Sequence, residues 1–120
     1  MDKQIVNATN FLGKSVTIKV DRPLGSKHPK YDWFYELNYG FVPGTISSDG
    51  EELDAYIIGI DIPIEEFRGT CVAVIHRIDD NDNKLVVVTD DRKSVSDSEI
   101  RSITNFKEQF FRSEIIRGLE

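Results

Sequence analysis

The chain alternates like a β-strand through most of its length and changes to helical periodicity once, near its C-terminal end. Ser15 to Asp21 puts Val16, Ile18 and Val20 on one face, as a half-buried strand does. Ala55 to Ile60 is a short apolar strand, and Thr70 to Ile78 is a longer one rich in β-branched residues. Lys84 to Thr89 returns after the polar turn Asp79-Asp80-Asn81-Asp82-Asn83, so residues 70–89 read as a hairpin. Then comes a capping box, Ser96-Asp97-Ser98-Glu99, followed by Ile100, Ile103, Phe106 and Phe110 at helical spacing. This predicts a helix over residues 97–116 whose aromatic stripe packs on the sheet. The strand–helix–strand alternation of a parallel sheet is missing. The expected fold is therefore mainly β (α+β): a small antiparallel barrel over residues 14–90 with a C-terminal α-helix packed on it. Closure removes exposed strand edges in a domain this small.

A length of 120 residues suits one domain, residues 1–120. No apolar run approaches the length of a membrane span, and Met1-Asp2-Lys3-Gln4-Ile5-Val6 lacks a signal-peptide core, so a cytoplasmic protein with no membrane partner is expected. The lone Cys71 lies in an apolar run and reads as a small core residue. His76, in mid-strand, reads as structural. A net charge of −6 argues against a non-specific nucleic-acid binder. Aromatics at Tyr31, Trp33, Phe34 and Tyr35 beside lysines could stack bases, but an acid-rich rim would repel the phosphates; the run reads better as core and subunit interface.

The distribution of charge says more than its sum. Residues 14–30 carry Lys14, Lys19, Arg22, Lys27 and Lys30 with His28, against the single acid Asp21. Two prolines and a glycine between Arg22 and Lys30 exclude regular structure there. Tyr31 to Val42 is aromatic-rich and expected to be extended. A first acidic turn then holds Asp49, Glu51, Glu52 and Asp54, and a second holds Asp79, Asp80 and Asp82, followed by Lys84. Either turn alone reads as a solvated loop. If both open on one rim, the carboxylates repel one another unless cations sit among them. Hard divalent ions, which take several oxygens, would resolve that conflict and could activate water and clamp a phosphoryl group.

The run Asn38-Tyr39-Gly40-Phe41-Val42-Pro43-Gly44-Thr45, then Asp49-Gly50-Glu51-Glu52-Leu53-Asp54, then Asp79…Asp82-Asn83-Lys84-Leu85-Val86, resembles the soluble family I inorganic pyrophosphatases over residues 35–88. The resemblance implies an OB-like barrel with a flanking helix, Mg²⁺ dependence (with Mn²⁺ as a substitute), and hydrolysis of pyrophosphate or a related phosphoanhydride to phosphate. It also implies a homo-oligomer. By the same resemblance, Asp49, Glu51, Asp54, Asp79 and Asp82 stand at metal positions. Asp54 would help hold the ions that activate the nucleophilic water, and Glu51 stands where the family's general base stands. Lys84 and Tyr39 match phosphate contacts; Tyr39 is also readable as a core aromatic.

The chain departs from that pattern. Glu51 is one methylene longer than the usual Asp, and the chain is shorter than common bacterial members. Phe110 and Phe111 replace the Tyr-Lys phosphate contact near the C-terminus. Candidate replacements on the phosphate side are Arg22, through its planar fork, with Lys27, His28 and Lys30 on the same stiff loop. The alternative to an enzyme is a catalytically degenerate barrel that binds a metal–phosphate ligand or a protein partner.

Overall fold

A computed structural model describes residues 4–47 and 50–118. In chain order its strands are β1 (Gln4–Ile5), β2 (Ser15–Arg22), β3 (Asn38–Phe41), β4 (Thr45–Ile46), β5 (Asp54–Ile58), β6 (Glu66–Arg77) and β7 (Asn83–Val88). They are followed by helix α1 (Asp97–Glu108) and strand β8 (Ser113–Ile116). The barrel closes in the order β2-β3-β5-β7-β6 and back to β2. Among the described residues, no helix is long and apolar enough to cross a membrane.

The mainly β barrel with a C-terminal helix is the expected architecture, with one difference in strand direction. Every barrel seam is antiparallel except β5–β7, which is parallel, with Asp54 opposite Lys84 and Ile58 opposite Val88. A parallel pair needs a long crossover, and the usual signal for one is an intervening helix. Here the crossover is itself a strand. The chain leaves β5, runs through β6, turns, and inserts β7 between the two. The periodicity of residues 59–82 therefore contained no helix to announce it.

Both faces of β5 and β7 are apolar because both are buried. Ala55, Ile57, Leu85 and Val87 point into the barrel with Ile18 and Cys71. Tyr56, Ile58, Val86 and Val88 point outward and are covered by Ile100 and Phe106 of α1. A bulge between Cys71 and Ala73 lets the long β6 pair first with β2 and then with β7 and β8.

The helix ends at Glu108, eight residues short of the expected limit at residue 116. It starts as expected, with Ser96 and Glu99 forming the reciprocal capping box. Beyond Gln109 the chain turns back, and Ser113 to Ile116 pair with Arg77 to Val74. The free edge of β6 offers a row of backbone groups, and the β-branched Ile115 and Ile116 suit a strand better than a helix terminus. Phe110 thus falls off the helical stripe and is 60% exposed. The segment before β3 also differs from expectation. Only Asn38–Phe41 is strand, while residues 25–35 fold back on themselves, with Tyr35 N–H donating to the Ser26 carbonyl (2.8 Å) and His28 N–H to the Trp33 carbonyl (2.9 Å).

Two residues of the Asn-Tyr-Gly sequence anchor this end of the barrel. The buried Asn38 Oδ1 accepts from the N–H of Leu24 (3.0 Å) and of Ile64 (3.2 Å), and its Nδ2 donates to the Ile62 carbonyl (2.9 Å). One amide thereby ties two loops to the strand. Gly40 packs so tightly on β2 that a Cβ there would lie 2.0 Å from the Lys19 carbonyl oxygen. Because that neighbour is backbone, it cannot rotate away. Gly40→Ala is expected to cost about 3 kcal/mol or more, read as a fall in the urea midpoint; a change within about 0.5 kcal/mol would contradict this packing.

Candidate active site

The β5–β7 seam and the neighbouring β3 bring four of the expected residues together. Asp54 opens β5, and Lys84 lies directly opposite it in the parallel register. Tyr39, on β3, is buried with its hydroxyl donating to Asp54 Oδ2 at 2.8 Å. Lys84 Nζ donates to the same oxygen at 2.7 Å and lies 2.7 Å from Asp82 Oδ2. Lys84 and Asp82 are 3% and 7% exposed, whereas the Asp54 side chain is 32% exposed and marks the outer face of the cluster. Burial works against the Lys84 charge, but Asp54 and Asp82 outweigh it and hold the ammonium above the ordinary lysine range. Burial, then the Asp54 charge, pushes the Tyr39 phenol well up, so it stays a donor.

Behind this cluster lies a second buried set that sequence reasoning missed. Arg77 forks onto Glu108, with Nε to Oε1 at 3.0 Å and Nη2 to Oε2 at 2.7 Å. The Tyr56 hydroxyl donates to the same carboxylate. Burial alone would push the Glu108 carboxyl up, yet the Arg77 hydrogen bonds and charge bring it below the usual range. Arg77 Nη1 also lies 3.8 Å from Asp82, joining the two clusters. Nothing in the local pattern singles out Arg77 or Glu108; only a charge at an otherwise apolar strand or helix-face position hints at them.

Lys107 was missed too. Its ammonium lies over three ring faces, 5.2 Å from the Tyr39 centroid, 5.7 Å from Trp33 and 5.9 Å from Tyr35. Burial, then the charges of Lys84 and Arg77, pull its pKa down to about 8. A signal existed: Lys107 stands one helical turn before Phe111, where the resemblance leads one to look for a lysine.

The other expected residues are dispersed. Asp49 lies outside the described residues. Glu51 is exposed, and its carbonyl accepts from Ser47 N–H (2.7 Å), closing that turn. Asp79 accepts from the Arg112 N–H (2.7 Å) and Nε (3.1 Å), next to the start of β8. On the phosphate side, Arg22 lies beside the Tyr35 hydroxyl and carries its charge close to His28. His28 Nδ1 accepts from the N–H groups of Lys30 (3.0 Å) and Tyr31 (3.2 Å), and its ring packs 4.6 Å from Trp33. Burial, then the charges of Lys107, Arg22 and Lys30, lower its pKa and favour the neutral imidazole. Lys27 pairs with Asp32 at the surface (3.2 Å), and Lys30 is exposed. Asp21, at the bulge of β2, was not anticipated; burial and the Asp54 and Glu52 charges raise its carboxyl, while Arg22 opposes them.

Among the described residues, no three carboxylates, imidazoles or thiols converge to hold a metal ion. Asp54 and Asp82 instead share the Lys84 ammonium, which already supplies the positive charge between them.

The fold and this rim define a small OB-like barrel with a carboxylate–lysine–tyrosine cluster at one mouth. The family model for inorganic pyrophosphatase matches residues 7–117, and the chain belongs to that family. It is 34% identical over 77 residues to an inorganic pyrophosphatase of Pseudomonas aeruginosa, covering 60% of this chain and 43% of that protein. It is 33% identical over 92 residues to one from Sulfolobus acidocaldarius, covering 73% of this chain and 50% of the relative. The chain thus spans about half the length, or less, of these curated relatives. In fold it is similar to the inorganic pyrophosphatase structure from Ehrlichia chaffeensis, with a TM-score of 0.69 at 21% identity over 93% of this chain and 91% of that one. A Coxiella burnetii structure of the same name superposes with a TM-score of 0.58 at 17% identity, over 93% and 89% of the two chains.

The depressed pKa of Lys107 has a direct readout. In an NMR titration of the lysine ε-methylene groups, one lysine should lose its proton near pH 8 and be missing from Lys107→Met. Because its folded pKa lies below the unfolded one, the unfolded chain binds the extra proton above pH 8. The Lys107 contribution to stability therefore rises with pH from about 8 toward the ordinary lysine value. Titration of every lysine near its ordinary value would contradict the geometry.

Proposed function

We propose that this protein hydrolyses a phosphoanhydride, with inorganic pyrophosphate as the first candidate, to two phosphates at the rim of Tyr39, Asp54, Asp82 and Lys84. The observation that carries the reading is the convergence of Lys84 Nζ and the Tyr39 hydroxyl on Asp54 Oδ2, at 2.7 and 2.8 Å, at the one-third-exposed edge of the seam. Membership of the pyrophosphatase family supports it. Lys84 is a preorganised donor for phosphoryl oxygens, the Tyr39 hydroxyl becomes one when it turns from Asp54, and Lys107 adds a positive charge on the same side. Asp54, with the exposed Glu51 on the preceding turn, supplies a carboxylate that can take a proton from the attacking water. Arg22, His28 and Lys30 belong to this reading as phosphate contacts from the neighbouring loop, and Lys27 as a more distant one.

The family is associated with a divalent metal, and Mg²⁺, or Mn²⁺ in its place, is part of the proposal. Its support is the family and the turn that contains Asp49, Glu51 and Asp54; no step is routed through it, because the described donors do not converge. Asp49, Asp79 and Asp82 remain its proposed companions on the basis of resemblance. A homo-oligomer in the cytoplasm is proposed on the same ground.

The test is phosphate release from pyrophosphate with Mg²⁺, with Mn²⁺ and with chelator. Metal-dependent release is expected to fall by about 100-fold or more in Asp54→Asn. Retention of the full rate in that variant would remove Asp54 from the chemistry. The non-converging carboxylates favour a second reading, a barrel that binds a metal–phosphate ligand without turnover. Thermal stabilisation by phosphate and metal with no release from any anhydride would select it.

A further inference from the structure

An aromatic pocket adjoins the rim, and its Trp33 and Phe110 faces have no part in the hydrolysis of a bare pyrophosphate. Its cavity, about 410 Å³, is lined by His28, Tyr31, Trp33, Lys107, Phe110 and Phe111. That volume is in the range of small-molecule sites. The rings of Trp33 and Phe110 lie 6.4 Å apart and 28° from parallel. A planar ring in contact with both faces needs about 7 Å between them. Phe110 is 60% exposed and can swing by the small amount required. The indole N–H of Trp33 is buried with no hydrogen-bond partner among the described residues. That donor lies in the ring plane, so the indole offers the pocket a face for stacking and not its N–H.

Lys107 joins the pocket to the rim. Its ammonium is 5.7 Å from the Trp33 ring and 5.2 Å from the Tyr39 ring, and the Tyr39 hydroxyl is bonded to Asp54. From the aromatic slot to the reacting carboxylate the order is therefore apolar ring faces, a cation, then a tyrosine and lysine with their carboxylates. A nucleotide has the matching order: planar base, sugar, first phosphate, terminal phosphate. Inorganic pyrophosphate has nothing to place between Trp33 and Phe110.

We propose that the substrate is a nucleoside diphosphate or triphosphate, its base between Trp33 and Phe110, an inner phosphate at Lys107 and its terminal phosphate at Lys84. This rests on the hydrolytic reading of the Asp54 rim. For ADP, the water oxygen bonds to the terminal phosphorus and the bond from that phosphorus to the bridging oxygen breaks. The bridging oxygen leaves on AMP, and the water proton passes to the Asp54 carboxylate and then to solvent. The products are AMP and inorganic phosphate.

Calorimetric titration with ADP and with pyrophosphate tests the pocket separately from the chemistry, because Asp54→Asn can be titrated alongside. The chain has a single tryptophan, so its emission reports on Trp33 alone. ADP is expected to bind at least about tenfold more tightly than pyrophosphate and to quench that emission. Truncating one stacking face typically costs 5- to 150-fold, so Phe110→Ala should lower the ADP:pyrophosphate affinity ratio by about tenfold. Tyr31→Ala, at a second exposed position of the same pocket, should lower the ratio as well, and unchanged pyrophosphate affinity in both variants excludes a folding defect. ADP binding no tighter than pyrophosphate, with Trp33 emission unmoved, overturns the inference even if pyrophosphate is hydrolysed. The same result with Trp33 shielded in a self-associated species assigns the pocket to a second copy and also overturns it. Tight, Trp33-quenching ADP binding without phosphate release from either compound keeps the pocket and removes the hydrolytic reading.

Discussion

Inserting β7 between β5 and β6 is the step on which the candidate site depends. The parallel seam that results sets Asp54 opposite Lys84 in register, with Tyr39 next to them on β3. An antiparallel β5–β7 pair would carry the Lys84 end of β7 to the far end of β5, away from Asp54. The same insertion buries β5 and β7 on both faces. Their sequences are accordingly apolar without alternation, and charged side chains are confined to their ends, where the candidate site lies.

Charge burial is the second constraint. Lys84, Arg77, Asp82 and Glu108 are each less than one-tenth exposed, and each is balanced by an opposite charge within a few ångströms. Such pairs add little net stability over apolar residues of the same shape, but removing one partner typically costs about 3–5 kcal/mol. They therefore fix geometry. Arg77 and Tyr56 hold the last turn of α1 against the barrel through Glu108, and that fixes where the adjacent Lys107 and Trp33 meet. The helix acts as a strut for the aromatic end of the site.

The loop before β3 replaces length with packing. It folds back on itself and stacks His28, Trp33 and Tyr35 against Phe106 and Lys107. Asn38 ties its base to the loop ahead of β6. A short chain thereby brings cations and ring faces to the rim without an additional strand or helix.

The residues around the acidic turns, together with Asn38-Tyr39-Gly40 and Lys84, identified the family before any coordinate was known, because local motifs carry their chemistry in fixed spacing. Period-two alternation was enough for a closed β structure, and the Ser96–Glu99 box for the start of the helix, since both are local signals. The end of the helix was not local: it depends on the open edge of β6, which captures Ser113 to Ile116. The parallel seam was hidden because its crossover is a strand. The Asp79 contact with Arg112, 33 residues away, was not legible in the sequence. Glu108 acquires meaning only through Arg77 and Tyr56, 31 and 52 residues distant. Sequence by itself determined the family and the class of fold. Tertiary structure decided which charges meet and which rings face one another, because Coulombic and stacking interactions depend on distance in space and not along the chain.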